Sequence, residues 1–444
     1  MAAATEERGG FRTSLGFVLA AAGSAVGLGN IWKFPYITGE YGGGAFVLVY
    51  LLCIAIVGLP LLYAEMIIGR RGGKDVLDSM GTLTANSGLA GTVASWGVGL
   101  LAFGSGFFIL SFYSVVAGWA LHFVGIAIGA IATEAAGAEA TFTAVASHGT
   151  WSAGWHTVFM ALVVGVVAGG VHGGIERACK VLMPGLILIL LVLLVYVGVT
   201  GRLGDSLTFL FRPDFSKLGG EAILEALGHA FFTLSLGMGA MITYGSYLAS
   251  DEHVVRDQFA VAFLDTAIAL VAGLVIFAVV LSLGAAPGAG PGLVFITLPE
   301  LFQQIPGGAV VELAFFVLLV FAAWSSGISL LEVVVALAID RFGWSRPAAA
   351  IRIGLLIWAL GLASAYSGEF LDFMDNLTTR YMLPIGGLLI ALAAGWLISP
   401  EDREAGFRAL PGGGRKLAAS WTFAIRYLTP TLVLLVILHG LGLF

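Results

Sequence analysis

The feature that most constrains this chain is a succession of long apolar runs broken only by short charged or Gly/Pro-rich stretches. They lie near 14–37, 45–69, 92–126, 155–172, 178–199, 222–248, 258–284, 309–338, 347–366, 369–398 and 419–442. Crossing about 30 Å of hydrocarbon takes roughly 20 apolar residues, so the length holds about eleven transmembrane helices and little else. Of the 444 residues, 59% are hydrophobic and 11% charged. Soluble domains run nearer 45–50% and about 25%, which argues against an ordinary globular enzyme. HExxH, GxSxG and P-loop spacings are absent and the histidines are scattered, so the chain reads as no enzyme. A net charge of −6 gives no basic footprint for nucleic acid, and Cys53 and Cys179 give neither a disulfide framework nor a zinc ribbon. A short polar arm, residues 1–13, precedes the first span; without a small-residue cleavage site, that span is expected to be retained.

Orientation follows from the loops. With the N-terminus in the cytoplasm, Arg8, Arg12, Arg70, Arg71, Lys74, Arg177, Lys180, Arg256, Arg341, Arg346, Arg352, Arg403, Arg408, Arg415 and Lys416 all fall inside. Outside lie Arg202, Arg212 and Lys217, in one loop. Basic residues in short loops stay cytoplasmic, so the alternation supports an odd number of spans in the cell membrane.

Two spans are abnormal in a matched way. The first carries Gly23, Gly27 and Gly29; the sixth carries Leu234-Ser235-Leu236-Gly237-Met238-Gly239 at a comparable depth. Glycine disfavours helix by roughly 1 kcal/mol against alanine, so mid-membrane clusters invite unwinding, although small residues also permit close packing of two helices. Both interruptions open a block of five helices, the pattern of an inverted-repeat transporter with its site at the midplane. The blocks are 14–200 and 222–398, joined by an outer loop 201–221 and followed by an inner loop 399–418 and a last helix in 419–444.

Freed backbone groups in hydrocarbon cost several kcal/mol each unless something polar meets them. Carbonyls suit a hard cation, and N–H groups at a half-helix N-terminus suit an anion. A zwitterion with a cation satisfies both. Asn30, Thr233, Ser235, Asp265, Ser325 and Ser326 add oxygen ligands, though a lone serine in such a helix commonly bonds its own backbone. Lys33, Glu65, Asp265 and Glu332 are ionisable within spans and are therefore functional candidates, with Glu332 read as a satisfied core carboxyl.

The run Gly23-Ser24-Ala25-Val26-Gly27-Leu28-Gly29-Asn30-Ile31-Trp32-Lys33-Phe34-Pro35 resembles the first-helix signature of the neurotransmitter:sodium symporters, which include bacterial amino-acid transporters. Gly42-Gly43-Gly44-Ala45-Phe46, Gly58-Leu59-Pro60 with Glu65, Phe231-Phe232-Thr233-Leu234-Ser235-Leu236-Gly237 and Phe295-Ile296-Thr297-Leu298-Pro299 continue it in order. The resemblance implies an all-α membrane fold of two inverted five-helix repeats, with helices 1 and 6 broken, and sodium-driven symport by alternating access. It implies two sodium sites. One uses the Ala25 carbonyl, Asn30, Thr233 and Asp265 with the substrate carboxylate; the other uses carbonyls of Gly23, Val26 and Ala322 with Ser325 and Ser326. By the same resemblance the carboxylate meets the N–H groups of Leu28 and Gly29 and the Tyr113 hydroxyl, and the ammonium meets Ala25, Phe232, Thr233 and Ser235.

The implied side-chain pocket is Ile109, Phe232, Met238, Ser326, Gly327 and Leu330, fit for a neutral hydrophobic L-amino acid. Gly27 replaces the aspartate of relatives that carry amines without a carboxylate. Lys33 and Asp375 form the implied outer gate, Arg8 and Asp340 the inner one with Tyr247 nearby, and Glu65 holds backbone N–H groups of helix 6. Gly174 and Pro184 bracket a stretch of helix 5 that can unwind in relatives.

Departures carry their own expectations. Lys33 stands for the usual arginine and loses its bidentate fork. His229 stands for a glutamine, Asp265 for an asparagine, and Ala269 for the acid or chloride-binding serine. A fixed carboxylate beside sodium does the work of a mobile anion, so no chloride requirement is expected. Without sodium the same carboxyl is open to a proton, since a cation nearby favours its ionised form. An ion channel or a non-transporting amino-acid sensor on the same scaffold are the alternatives.

Overall fold

The computed structural model describes residues 10–132, 138–200, 203–248, 254–285, 290–410 and 414–443. In chain order the long elements are α1 (Ser14–Ala25), α2 (Gly29–Glu40), α3 (Gly44–Gly72), α4 (Gly88–Ala132), α5 (Gly149–Ala168), α6 (Val171–Thr200), α7 (Gly220–Thr233), α8 (Ala240–Gly245), α9 (Val254–Ser282), α10 (Gly308–Phe342), α11 (Arg346–Tyr366), α12 (Gly368–Leu397) and α13 (Arg415–Gly440). Among the described residues nine helices are long and apolar enough to span a bilayer, and the pair α1 and α2, bent by 51°, makes a tenth. The pair α7 and α8 forms a second interrupted rod around residues 234–239. On α6, Leu188, Val192, Val195 and Val199 are apolar yet exposed, as a lipid-facing surface requires.

Proline shapes the rods in a way that apolar periodicity hides. Phe34-Pro35, Leu59-Pro60, Leu383-Pro384 and Thr429-Pro430 each follow directly on a widened π-turn: Gly29–Lys33, Ile54–Gly58, Leu377–Met382 and Ala424–Leu428. A proline ring has no N–H to give and clashes with the carbonyl four residues back. The extra residue in a π-turn relieves that clash while the helix continues. Val171–Glu176 is a further π-turn, so the stretch opened by Gly174 is wound here.

The first interrupted rod is central. α1 packs among α6, α9 and α10, while α8 lies on α3 and α10 runs along α4. The second interruption depends on positive φ at Ser235 (53°), Gly237 (80°) and Gly239 (74°). A Cβ at Gly237 would sit 2.1 Å from the Leu383 carbonyl oxygen, so both conformation and space demand glycine there.

Gly237→Ala is therefore expected to destabilise by about 2 kcal/mol or more, read as a fall of several degrees in Tm. Gly228→Ala on the same rod, where a Cβ meets nothing within 4 Å, should leave Tm unchanged.

Candidate functional site

At the first break the freed groups find specific partners. The Gly27 N–H donates to Asn30 Oδ1 (3.0 Å), and the Leu28 N–H donates to the Tyr113 hydroxyl on α4 (3.3 Å). Carbonyl oxygens of Gly23, Ser24 and Val26 lie 3.2, 3.1 and 3.1 Å from Ser326 Oγ on α10. One hydroxyl has one proton, so the remaining lone pairs form an electronegative fan. Ser325 Oγ beside it bonds the Phe321 and Ala322 carbonyls, both at 3.1 Å. The Gly23 and Val26 carbonyls thus meet Ser326 as oxygens of the kind a hard cation takes, while the Ser325 hydroxyl is engaged with its own helix.

At the second break the Gly237 N–H donates to Glu65 Oε1 of α3 (2.7 Å), and Ser235 Oγ donates to the Ser24 carbonyl (2.8 Å). The two interruptions are thereby stitched to each other. Between them lies a buried carboxyl. Asp265 on α9 accepts Asn30 Nδ2 at 2.7 Å and Thr233 Oγ1 at 3.0 and 3.1 Å, and all three side chains are inaccessible or nearly so. Those partners are neutral. A carboxylate removed from water beside neutral donors calls for a cation; the Thr233 and Asp265 oxygens lie together here, while Asn30 turns its amide nitrogen to Asp265 and its oxygen to the Gly27 N–H.

A narrow cavity of about 20 Å³ sits against both breaks, lined by Ala25, Gly27, Leu28, Gly29, Ile109, Tyr113, Phe232, Ser235, Met238, Ser326 and Leu330. Ser24 and Ser329 line it as well, their hydroxyls 2.8 Å apart, and neither stood among the candidate residues. Two candidates direct no side chain into it. Thr233 turns into the Asp265 cluster. Gly327 faces α5, where a Cβ would meet Val163 and Phe159 at 3.1 and 3.2 Å, so its missing side chain serves helix packing. At Gly27 a Cβ would lie 2.6 Å from Ser326 Oγ and 3.0 Å from the Tyr113 hydroxyl, leaving no room for a carboxylate of its own.

Phe232 also lines a wider vestibule of about 310 Å³, bordered by Lys33, Glu225, Asp375 and Arg380. The expected ion pair of Lys33 with Asp375 is replaced: Lys33 Nζ lies 3.1 Å from Glu225 Oε1. At the opposite end Arg8 falls outside the described residues, and Asp340 Oδ2 accepts the Asp75 N–H at 2.9 Å. Tyr247 donates to Glu332 Oε1 at 2.5 Å, and Arg346 Nη1 reaches both Glu332 oxygens at 2.8 Å. Glu332 is thus a paired carboxyl tying α10 to the start of α11 and, through Tyr247, to the turn after α8. Glu176 gathers the Arg12 N–H, Thr13, His172 and Lys180, fastening the N-terminal arm to α6. The four-residue spacing of His172, Glu176 and Lys180 was a readable signal for that cluster. His229 is fully buried with its ring against Phe34 and Tyr50, at 5.9 and 5.4 Å between centroids.

The family model of the sodium:neurotransmitter symporters matches residues 8–134 and 141–443. The sodium-dependent transporter YhdH of Bacillus subtilis (strain 168) is 36% identical, with 97% of each chain covered. Sodium-dependent nutrient amino acid transporter 1 of Drosophila melanogaster is 24% identical over 98% of this chain and 78% of its own. Among solved structures, the crystal structure of MhsT in complex with L-phenylalanine aligns at a TM-score of 0.88 and 42% identity, over 98% of this chain and 100% of that one.

Thr233→Val keeps the shape and deletes the hydroxyl between α7 and Asp265. It is expected to weaken sodium-induced thermal stabilisation by about tenfold in sodium concentration, the worth of one hydrogen bond to a charged group.

Proposed function

We propose, on the premise that the chain belongs to the sodium:neurotransmitter symporter family, that it carries a neutral, hydrophobic L-amino acid into the cell with sodium and without chloride. Membership makes it a sodium-dependent membrane transporter. The substrate, the anion requirement, an N-terminus in the cytoplasm and the residue roles are our reading.

The observation that carries the reading is the meeting of Gly27 with the Leu28 N–H and Tyr113. The Leu28 N–H donates to the Tyr113 hydroxyl beside the place where a Cβ at Gly27 would clash, which supports an anionic group supplied by the ligand. The Ala25 and Phe232 carbonyls and Ser235 face the ammonium in this reading. Ile109, Met238 and Leu330 form the apolar wall. Two sodium ions complete the site, one among Ala25, Asn30, Thr233 and Asp265 with the substrate carboxylate, the other among Gly23, Val26, Ala322, Ser325 and Ser326.

Sharing one sodium between Asp265 and the substrate carboxylate explains coupling. Either ligand alone leaves charge desolvated; together each lowers the other's cost, and linkage makes the effect reciprocal. Asp265 is a fixed negative charge, so the site is balanced without a mobile anion. Phe232 stands between the cavity and the vestibule, and the Glu332 and Glu176 clusters hold the other end shut. Alternating access requires those polar contacts to open in turn, and contacts built from hydrogen bonds and ion pairs can be rehydrated without loss of core.

The purified protein in proteoliposomes should accumulate labelled L-phenylalanine under an inward sodium gradient and not under a choline gradient. Replacing chloride by gluconate should leave the rate within about twofold, a limit set by ionic screening alone. A requirement for chloride would defeat the assignment of charge balance to Asp265. Gly27→Asp should abolish phenylalanine uptake, because even its Cβ would crowd Ser326 Oγ and the Tyr113 hydroxyl.

A further inference from the structure

At the vestibule mouth Lys33 bridges two rods, and its partner sits on α7 instead of α12. Glu225 and Phe232 are seven residues apart and share a face of that helix, with Gly228 between them adding no side chain. Lys33 Nζ also stands 5.9 Å from the Phe232 ring centroid. The ammonium therefore touches α7 at two points, its carboxylate and its aromatic lid. Lysine offers a compact point charge, so a close pair with Glu225 leaves Asp375 without the fork that an arginine could have shared between two carboxylates. Asp375 lies on the same vestibule wall, near Arg380.

We propose that Glu225 is a positioning residue of the outer gate: paired with Lys33 it fastens α2 to α7, so the ligand-facing N–H groups and the Phe232 lid move as one unit. Asp375 then belongs to the stationary wall against which that unit closes. The pair is a latch within the moving part, not a clasp between moving and fixed parts. Both side chains keep partial access to water, 25% for Lys33 and 36% for Glu225, which suits a contact that tightens as water leaves. The role presumes the amino-acid site proposed above, since it is the lid of that site that is positioned.

The test uses the full-length protein in nanodiscs and two readouts. In a double-mutant cycle of Tm, Glu225→Gln should lower Tm in the wild-type background and have no effect on Lys33→Met, whereas Asp375→Asn should show no such dependence on Lys33. For sodium-dependent L-phenylalanine binding, Glu225→Gln should raise Kd about two- to fivefold, the worth of a partly exposed pair. The exchanged pair Lys33→Glu with Glu225→Lys should recover affinity, and Lys33→Asp with Asp375→Lys should not. Coupling of Lys33 to Asp375 with none to Glu225, or rescue by the Asp375 exchange alone, overturns the proposal. A wild-type protein that binds no amino acid while Lys33 and Glu225 still couple in Tm would overturn the functional reading and leave the latch standing.

Discussion

The structure depends on two helices that stop being helices where no water can reach them. Each interruption releases peptide groups whose neglect in hydrocarbon costs several kcal/mol apiece. The surrounding residues are organised around that debt. Asn30 folds back on the Gly27 N–H, Tyr113 reaches across from α4 to Leu28, and Glu65 reaches from α3 to Gly237. Ser235 ties the second break to the first through the Ser24 carbonyl, and Ser326 of α10 gathers the carbonyls of Gly23, Ser24 and Val26. What these protein donors leave over is carbonyl oxygen and one buried carboxyl, both chemically biased toward a cation.

That surplus links fold to function. A site of this kind is incomplete by construction: Asp265 has neutral partners, and the fan of carbonyls has more lone pairs than the Ser326 hydroxyl has protons. In the proposed reading an alkali ion and an amino acid complete it together. Away from the site, the contacts that close either end are polar, from Lys33 with Glu225 to Tyr247 with Glu332 and Arg346. In the proposed cycle apolar helix faces hold the rods together throughout, and the polar contacts decide which mouth is open.

How much of this could be read from residues alone divides along physical lines. The two breaks announced themselves because glycine clusters are costly in any membrane helix, and the oxygen donors around them followed from chemistry. The π-turns did not: the proline that follows each of four of them was visible, but a proline in an apolar run does not by itself say that an extra residue is inserted upstream. At Gly327 sequence could not say which way an added side chain would point; in the structure a Cβ there would meet Val163 and Phe159. Long-range pairs were the hardest. Lys33 and Glu225 come from different rods, and only the bend of 51° between α1 and α2 and the pitch of α7 decide that Glu225, not Asp375, is within reach.

Reciprocal titration in a single calorimetric series tests the central claim most directly. Dissociation constants for L-phenylalanine are measured at stepped sodium concentrations, and those for sodium at stepped phenylalanine concentrations. A shared ion requires each ligand to tighten the other by the same factor, of order tenfold or more. Phenylalanine affinity that is identical in sodium and in choline, or a sodium affinity indifferent to the amino acid, would contradict a site completed jointly by the two.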